Sequence, residues 1–205
     1  MTARGQATPS ALELAKRVDN HYNHLQSLRA GFSEEYEGLG MKRSESGTML
    51  LRKPGRMRWE YKSTPGKLFV LDGKYAWFYA PGESQVQRIG ANQLDDLRSP
   101  LRFLLGHTKI ESELEGLKIQ THEQRSNAEL YVLTGVPKGQ QKRISKLSLT
   151  VNQDGMIRGI EIDEVDGAKT VFTFTNEEPN AVIPEGVFHF TPPAGVPVVD
   201  ALPPV

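Results

Sequence analysis

Hydrophobic residues near the start of the chain recur every three or four positions, which is the spacing of one face of an α-helix. The pattern begins directly after Thr8-Pro9-Ser10, a sequence typical of a helix start. A hydroxyl can cap free backbone N–H groups there, and proline has no N–H to satisfy. We therefore predict one amphipathic helix of about five turns. Its apolar face contains Ala11, Leu14, Ala15, Val18, Tyr22, Leu25 and Leu28.

From Phe32 onward the pattern changes to an alternation of apolar and polar residues, which is the period of β-strands. Turn signals separate the strands, namely Pro54-Gly55 and the Asp-Gly pairs at 72–73, 154–155 and 166–167. We predict antiparallel strands on both sides of these turns. In the second half of the chain the predicted strands cover residues 117–121, 128–135, 144–151, 157–164 and 169–175.

Two short helical patterns interrupt the strands in the middle of the chain. Residues 92–97 have a helix-like pattern, and Ser99-Pro100 opens a second short helix over residues 101–105. The second helix is apolar on nearly every side, so we expect it to be buried. Gly106 suits its C-terminal cap.

This order of elements predicts an α+β fold. One large, curved antiparallel sheet would carry the long N-terminal helix and the short central helices on its concave face. A barrel-like curl would protect the edges of the sheet. The length of 205 residues suits a single domain over residues 1–205, with loosely attached ends at 1–7 and 201–205.

The charge balance argues against a dedicated nucleic-acid binder, because 25 basic and 25 acidic residues cancel. A basic run does lie beside aromatic residues, but strand alternation places Arg56 and Arg58 on the face opposite Trp59. No apolar run approaches the roughly 18 residues of a membrane span, and the first residues show no signal-peptide pattern. The absence of cysteine excludes disulfide bonds.

The sequence contains no recognisable catalytic motif for a hydrolase, a phosphate-binding enzyme or a metalloprotease. The adjacent carboxylates Glu34-Glu35 and Asp95-Asp96 point apart, so neither pair forms a two-carboxylate site. His21 and His24 are three positions apart on the predicted helix but lack further metal ligands at suitable spacing. We therefore expect no enzyme activity, no metal and no cofactor.

Residues 47–61 are predicted to form two strands joined by a tight turn, with Lys53 at the edge of their apolar face. That face contains Met49, Leu51, Met57, Trp59 and Tyr61. Further aromatic residues follow at Trp77 and Tyr79. Such a face is typical of an ordinary packed core, but a large curved sheet capped by few helices can also enclose a pocket for an apolar ligand.

Five segments of the chain closely resemble the LolA family of lipoprotein carriers, and they follow one another in the family's order along nearly the whole chain. These segments are residues 28–32, 47–61, 71–81, 99–105 and 188–196. The resemblance implies an unclosed β-barrel with a helical lid over a hydrophobic cavity that takes up acyl chains. On this basis we predict a cavity lined by Val18, Tyr22, Met49, Leu51, Met57, Trp59, Tyr61, Trp77, Tyr79, Phe103 and Leu104.

The resemblance also implies a location and a set of partners. Family members are periplasmic, which would require a signal peptide that is not visible in this sequence. Their cargo is acylated lipoprotein, which an inner-membrane ABC transporter (LolCDE-like) loads and an outer-membrane receptor lipoprotein (LolB-like) unloads. We expect a monomer with no cofactor.

Two positions depart from the family pattern. The family typically has an arginine directly before the turn proline, where it latches the lid, and this chain has Lys53. Lysine offers a point charge instead of a planar fork, so a multidentate latch would be weaker. Glu34 stands where the family often has glutamine.

Two alternatives remain beside lipoprotein transport: a LolA-like module for another lipid or glycolipid, or a sensor of mislocalised lipoproteins. An esterase is disfavoured because no nucleophile–base pair is visible.

Overall fold

Twelve β-strands form one sheet in a computed structural model that describes residues 8–92, 102–106, 109–125 and 128–200. Neighbouring strands are antiparallel, except that the last strand pairs in parallel with the sixth. The strands are β1 (Ser27–Gly38), β2 (Met41–Arg52), β3 (Arg56–Tyr61), β4 (Leu68–Asp72), β5 (Tyr75–Tyr79), β6 (Val86–Gly90), β7 (Leu114–Arg125), β8 (Ala128–Pro137), β9 (Ile144–Asn152), β10 (Ile157–Glu164), β11 (Lys169–Pro179) and β12 (Val198–Asp200).

The order of the strands in space is β12-β6-β5-β4-β3-β2-β1-β11-β10-β9-β8-β7. Strands β12 and β7 therefore form the two edges, and within the described residues the sheet stays open between them. The predicted unclosed antiparallel sheet of an α+β fold is confirmed. The ends at 1–7 and 201–205, which we predicted to be loose, lie outside the described residues, as do positions 93–97 of the predicted central helix.

The sheet is strongly curved. Strands are about 4.8 Å apart, so β3 and β11, with two strands between them, would be about 14 Å apart in a flat sheet. However, the ring centroids of Trp59 on β3 and Phe172 on β11 are 5.8 Å apart. The two large side chains meet because the strands between them bend around a common interior.

Helix α1 (Ala11–His24) begins with a capping box, in which the Ser10 hydroxyl accepts a hydrogen bond from the backbone N–H of Glu13 and the Glu13 carboxylate accepts one from the Ser10 N–H. The helix is shorter than predicted. Leu28, which we placed on the helical stripe, lies in β1 opposite Leu51. The spacing between the helical stripe and Leu28 fits the period of a helix as well as that of a strand. The alternation of buried and less buried residues after Ser27 shows the strand.

Within the described ranges, two short helices lie beside α1. Helix α2 (Arg102–Leu105) lies within the predicted second central helix, and its Phe103 and Leu104 are buried as expected. Helix α3 (Ile110–Glu113) was not predicted. The Asp19 carboxylate of α1 accepts hydrogen bonds of 3.1 and 3.2 Å from the backbone N–H of Ile110. Helix α1 also packs on β7 and β8.

None of the described helices is long and apolar enough to cross a membrane. The part of the chain that the structure describes also contains no group of three histidine or acidic side chains arranged to hold a metal ion.

Candidate functional site

The concave face of the sheet gathers most of the predicted cavity residues into one buried cluster. Strand register places Met49 opposite Trp59 and Leu51 opposite Met57, so these four side chains share the inner face. Side chains from α1 and α2 close over them. Buried members of this cluster are Val18, Tyr22, Met49, Leu51, Met57, Trp59, Phe103 and Leu104, and Tyr61 packs against it with partial exposure.

Trp59 occupies an aromatic environment that joins both halves of the sheet. Its ring lies 4.5 Å from Phe32, 5.8 Å from Phe172 and 6.3 Å from Phe174, measured between centroids. The side chain is 2% exposed, and its indole Nε1 has no hydrogen-bond partner among the described residues. A polar donor is therefore enclosed in an otherwise apolar interior.

Two predicted cavity residues, Trp77 and Tyr79, lie on the other face of the sheet, and this part of the prediction is wrong. Trp77 is paired with Val70 and belongs to a separate outer cluster. The C-terminal segment covers that cluster, since Phe190 lies 5.7 Å from the Trp77 ring and 6.1 Å from the Tyr79 ring. Strand β5 has large side chains on both faces, so composition did not reveal which face is inside.

Sequence reasoning missed the residues that replace them on the inner face. Phe78 is the inner aromatic side chain of β5, 4.8 Å from Phe69 on β4. Phe172 and Phe174 reach the same interior from β11. The alternation of each strand was visible in the sequence, but the curvature that brings β11 to β3 depends on the complete sheet.

Lys53 connects the turn after β2 to helix α1. The Lys53 ammonium donates a hydrogen bond to the backbone carbonyl of Tyr22 in α1, and the Lys53 backbone N–H donates to the Gln26 carbonyl at 2.8 Å. Gly106, directly after α2, lies against the same contact: a Cβ built there would be 2.6 Å from Lys53 Nζ. Partial burial lowers the pKa of Lys53. One cation is therefore hydrogen-bonded to helix α1 and lies beside the end of helix α2.

Tyr22 connects helix α1 to the far half of the sheet. Its hydroxyl accepts a hydrogen bond of 2.9 Å from the backbone N–H of Ile157 at the start of β10. Burial raises the pKa of Tyr22 well above its usual range, and the nearby Glu177 carboxylate adds to this effect. The hydroxyl therefore stays neutral.

Glu177 is a buried carboxylate close to Tyr22. Its side chain is 1% exposed, and one oxygen, Oε1, accepts a hydrogen bond of 3.3 Å from Arg158 Nη1. The other oxygen, Oε2, has no partner among the residues described. Burial raises the pKa of Glu177 to about 7, although the Arg158 guanidinium acts in the opposite direction.

The inner face becomes ionic at the end farther from Lys53. Glu45 is buried and binds Lys67 Nζ at 2.6 and 2.7 Å and Arg43 Nε at 3.2 Å. Arg43 also donates a 3.3 Å hydrogen bond to Glu34, whose pKa is raised by burial. The Lys67 ammonium lies 4.4 Å from the centre of the Tyr61 ring. Two carboxylates and two cations thus form a neutral cluster next to the aromatic interior.

A family model described as "Outer membrane lipoprotein carrier protein LolA" matches residues 23–191, which is most of the chain. The chain belongs to the LolA family. The resemblance inferred from the five sequence segments is therefore confirmed. Outer-membrane lipoprotein carrier proteins of Nitrosospira multiformis and Chromobacterium violaceum are similar to it over most of their length. The first is 30% identical over 86% of this chain and 83% of its own, and the second is 27% identical over 96% and 92%.

Solved structures agree at the level of the fold. An uncharacterised conserved protein from Thermus thermophilus matches with a TM-score of 0.60 over 93% of this chain and 99% of its own, at 14% identity. The sheet of this fold can therefore be kept while most of its side chains change. The lysine at position 53, where the resemblance implies arginine, occupies the point at which the sheet meets helix α1.

Proposed function

We propose that this protein is a periplasmic, non-enzymatic carrier that encloses the acyl chains of lipoproteins and transfers them from the inner to the outer membrane. The observation that carries the proposal is the apolar interior between α1, α2 and the concave face, found in a member of the LolA family. The names of the relatives, outer-membrane lipoprotein carrier proteins, support the same function.

The energetics of such a carrier follow from its interior. Each buried methylene of an acyl chain contributes about 0.8 kcal/mol, so enclosing part of one chain already gives several kcal/mol. In the structure this surface is covered by the protein's own side chains, including Tyr22, Phe103 and Leu104. Cargo must displace these contacts on loading, and the protein recovers them on release.

We infer that Lys53 is the latch of the closed form. Its ammonium joins the β2–β3 turn to the carbonyl of Tyr22, so opening the lid must break this hydrogen bond. Loading by an inner-membrane ABC transporter (LolCDE-like) would supply the opening, and a receptor lipoprotein (LolB-like) at the outer membrane would accept the cargo. We expect the carrier to act as a monomer.

The first experiment measures acyl-chain uptake directly. A fluorescent fatty-acid analogue should bind the purified protein, and a polar side chain placed in the interior should weaken the binding at least tenfold. Leu51→Gln is the test variant, because Leu51 is fully buried, and Leu39→Gln is the matched control, because Leu39 is 78% exposed. Both variants are first checked for a cooperative thermal unfolding transition. Failure of the folded wild-type protein to bind any acylated ligand would contradict the proposal.

The second experiment identifies the cargo in the cell. Depletion of the protein followed by membrane fractionation should leave lipoproteins at the inner membrane. Mass spectrometry of lipids that copurify with the protein separates this result from the alternatives. Another lipid or glycolipid in the interior, with normal lipoprotein sorting, would favour a different binding module, and a changed stress response alone would favour a sensor.

A further inference from the structure

The indole N–H of Trp59 is the most unusual polar group of the interior. Buried hydrogen-bond donors in folded proteins almost always have an acceptor, and each exception calls for an explanation. Trp59 is 2% exposed, and within the described residues its Nε1 has none. Three phenylalanine rings surround it and offer no strong acceptor.

The other tryptophan of the chain shows how the fold treats an indole that serves only packing. Trp77 Nε1 donates a hydrogen bond of 2.8 Å to Asp72 Oδ2, and the Asp72 carboxylate also caps the backbone of the adjoining turn. Asp72 and Trp77 lie on the same hairpin, so a local acceptor was available. Among the described residues no such acceptor accompanies Trp59, although it is the more deeply buried of the two.

Trp59 also lies where the inner face changes character. Toward the β2–β3 turn its neighbours on the face are Met57 and Leu51, both fully enclosed and apolar. In the other direction the next inner residue of β3 is Tyr61, which adjoins Lys67 and the ionic cluster. An acyl chain likewise changes from apolar to polar at its carbonyl group, and Trp59 is the last buried residue of β3 before the ionic cluster.

We propose that Trp59 Nε1–H donates a hydrogen bond to the carbonyl oxygen of the ester or amide that links an acyl chain to its cargo. The proposal rests on the carrier function above and adds a chemical selectivity to it: the interior prefers acyl esters and amides to alkyl ethers of equal length. The neighbouring cluster of Arg43, Glu45, Lys67 and Glu34 has no net charge, which suits a neutral ester or amide better than a phosphate.

The test compares two fluorescent probes that differ only at this carbonyl. One is an acyl ester and the other is the alkyl ether with the same chain length and the same polar group. We expect the wild-type protein to bind the ester about fivefold more tightly, as for one neutral hydrogen bond. Trp59→Phe should bind both probes with equal affinity. The control Trp77→Phe should keep the fivefold preference, because Trp77 lies on the outer face.

A spectroscopic measurement tests the hydrogen bond without changing Trp59. The chain has two tryptophans, so Trp77→Phe leaves Trp59 as the only one. The resonance Raman band that reports indole hydrogen bonding should shift when the ester probe binds and stay in place with the ether probe. This readout remains available if Trp59→Phe does not fold.

The outcomes separate this inference from the proposed function. Binding of neither probe to the wild-type protein would overturn the carrier function itself. Equal binding of both probes, an unchanged preference in Trp59→Phe, or a Raman band that does not respond to the ester would overturn the role of Trp59 and leave the carrier function standing.

Discussion

Trp59 and Trp77 lie on strands separated only by β4, but on opposite faces, and their surroundings differ in kind. Around Trp77 the strong polar groups have partners: the indole donates to Asp72, and the Arg88 guanidinium lies 5.6 Å from the ring centre and pairs with Asp200. Around Trp59 the indole donor has no acceptor in the described chain. The polar groups named around Trp77 therefore have partners, whereas the Trp59 indole has none within the described residues.

The difference fits two different roles for the two regions. The outer cluster attaches the C-terminal segment to the sheet, since Phe190 packs on Trp77 and β12 pairs with β6. Loading and release of cargo do not require the contacts of the outer cluster to break. The interior contains buried polar atoms without a partner in the described chain, among them Trp59 Nε1 and Glu177 Oε2, so its packing is less stable than that of a fully bonded core. A carrier that must exchange its own contacts for cargo benefits from such packing.

Truncating the outer tryptophan should give the largest effect on stability. Trp77→Ala removes a ring that is 9% exposed, and loss of a buried tryptophan costs about 3 to 5 kcal/mol of the free energy of unfolding. Urea denaturation measures the loss. The variant that remains folded should bind an acyl probe with wild-type affinity, because Trp77 does not reach the interior. A weakened affinity of the folded variant would show that the two faces are not independent.

The pH dependence of stability should separate a buried carboxylate from an exposed neighbour. Burial raises the pKa of Glu177 to about 7 from an ordinary value of 4.5, so the folded protein binds the carboxyl proton more tightly than the unfolded chain. The contribution of Glu177 to the free energy of unfolding is therefore fully present below pH 4.5 and is lost as the pH rises through 7. We expect a loss of about 2 to 3 kcal/mol across this window.

Glu177→Gln cannot ionise and should remove this part of the pH dependence, measured by urea denaturation between pH 4.5 and 8. Glu178→Gln is the matched control, because the Glu178 side chain is 58% exposed. Similar pH profiles for the wild-type protein and Glu177→Gln would mean that the carboxylate is solvated.

The burial of Glu177 is a feature that sequence reasoning could not supply. A β-bulge places both Asn176 and Glu177 opposite Ala30, since Arg29 pairs with Glu178 and the next registered pair is Gly31 with Thr175. Without the extra residue, simple alternation would direct Glu177 outward. Asn176 has a φ of 50°, a left-handed backbone conformation that the sequence pattern does not predict.

Other parts of the site were predictable because local rules were sufficient. The Pro54-Gly55 turn fixed the alternation on both of its sides, so Met57 and Trp59 were assigned to the inner face correctly. The same rule failed at β5, where Trp77 and Phe78 are adjacent and both large. Only the pairing of Phe78 with Phe69, in register with Trp59, distinguishes the inner residue from the outer one.

The proposed latch, Lys53, lies at the edge of the interior, between the two regions compared above. Lys53→Leu removes the ammonium that binds the Tyr22 carbonyl and should weaken the closed form. We expect acyl-probe affinity to rise about tenfold, which corresponds to about 1.4 kcal/mol, and transfer to acceptor vesicles to slow down. Fluorescence titration and a transfer assay measure the two effects. Lys53→Arg keeps a donor and should stay close to wild type. Unchanged uptake and transfer in Lys53→Leu would remove Lys53 from the mechanism.

The smallest expected effect concerns the glycine that lies against the latch. Gly106 has a φ of +74°, and a Cβ there would be 2.6 Å from Lys53 Nζ and 2.7 Å from the Tyr22 carbonyl oxygen. Gly106→Ala should lower the free energy of unfolding by about 1 kcal/mol through backbone strain and should also separate the two latch atoms. Acyl-probe affinity should then rise about two- to threefold, less than in Lys53→Leu.

Gly55→Ala provides the control, because Gly55 has a φ of +56° and no atom within 4 Å of the added Cβ. Gly55→Ala strains the backbone to a similar degree but leaves the contact between Lys53 and Tyr22 unchanged. The free energy of unfolding should therefore fall while the acyl-probe affinity stays constant. If both alanine variants raised the affinity equally, general destabilisation would explain the gain. If only Gly106→Ala raised the acyl-probe affinity, the contact between Lys53 and Tyr22 would be the interaction that opposes loading.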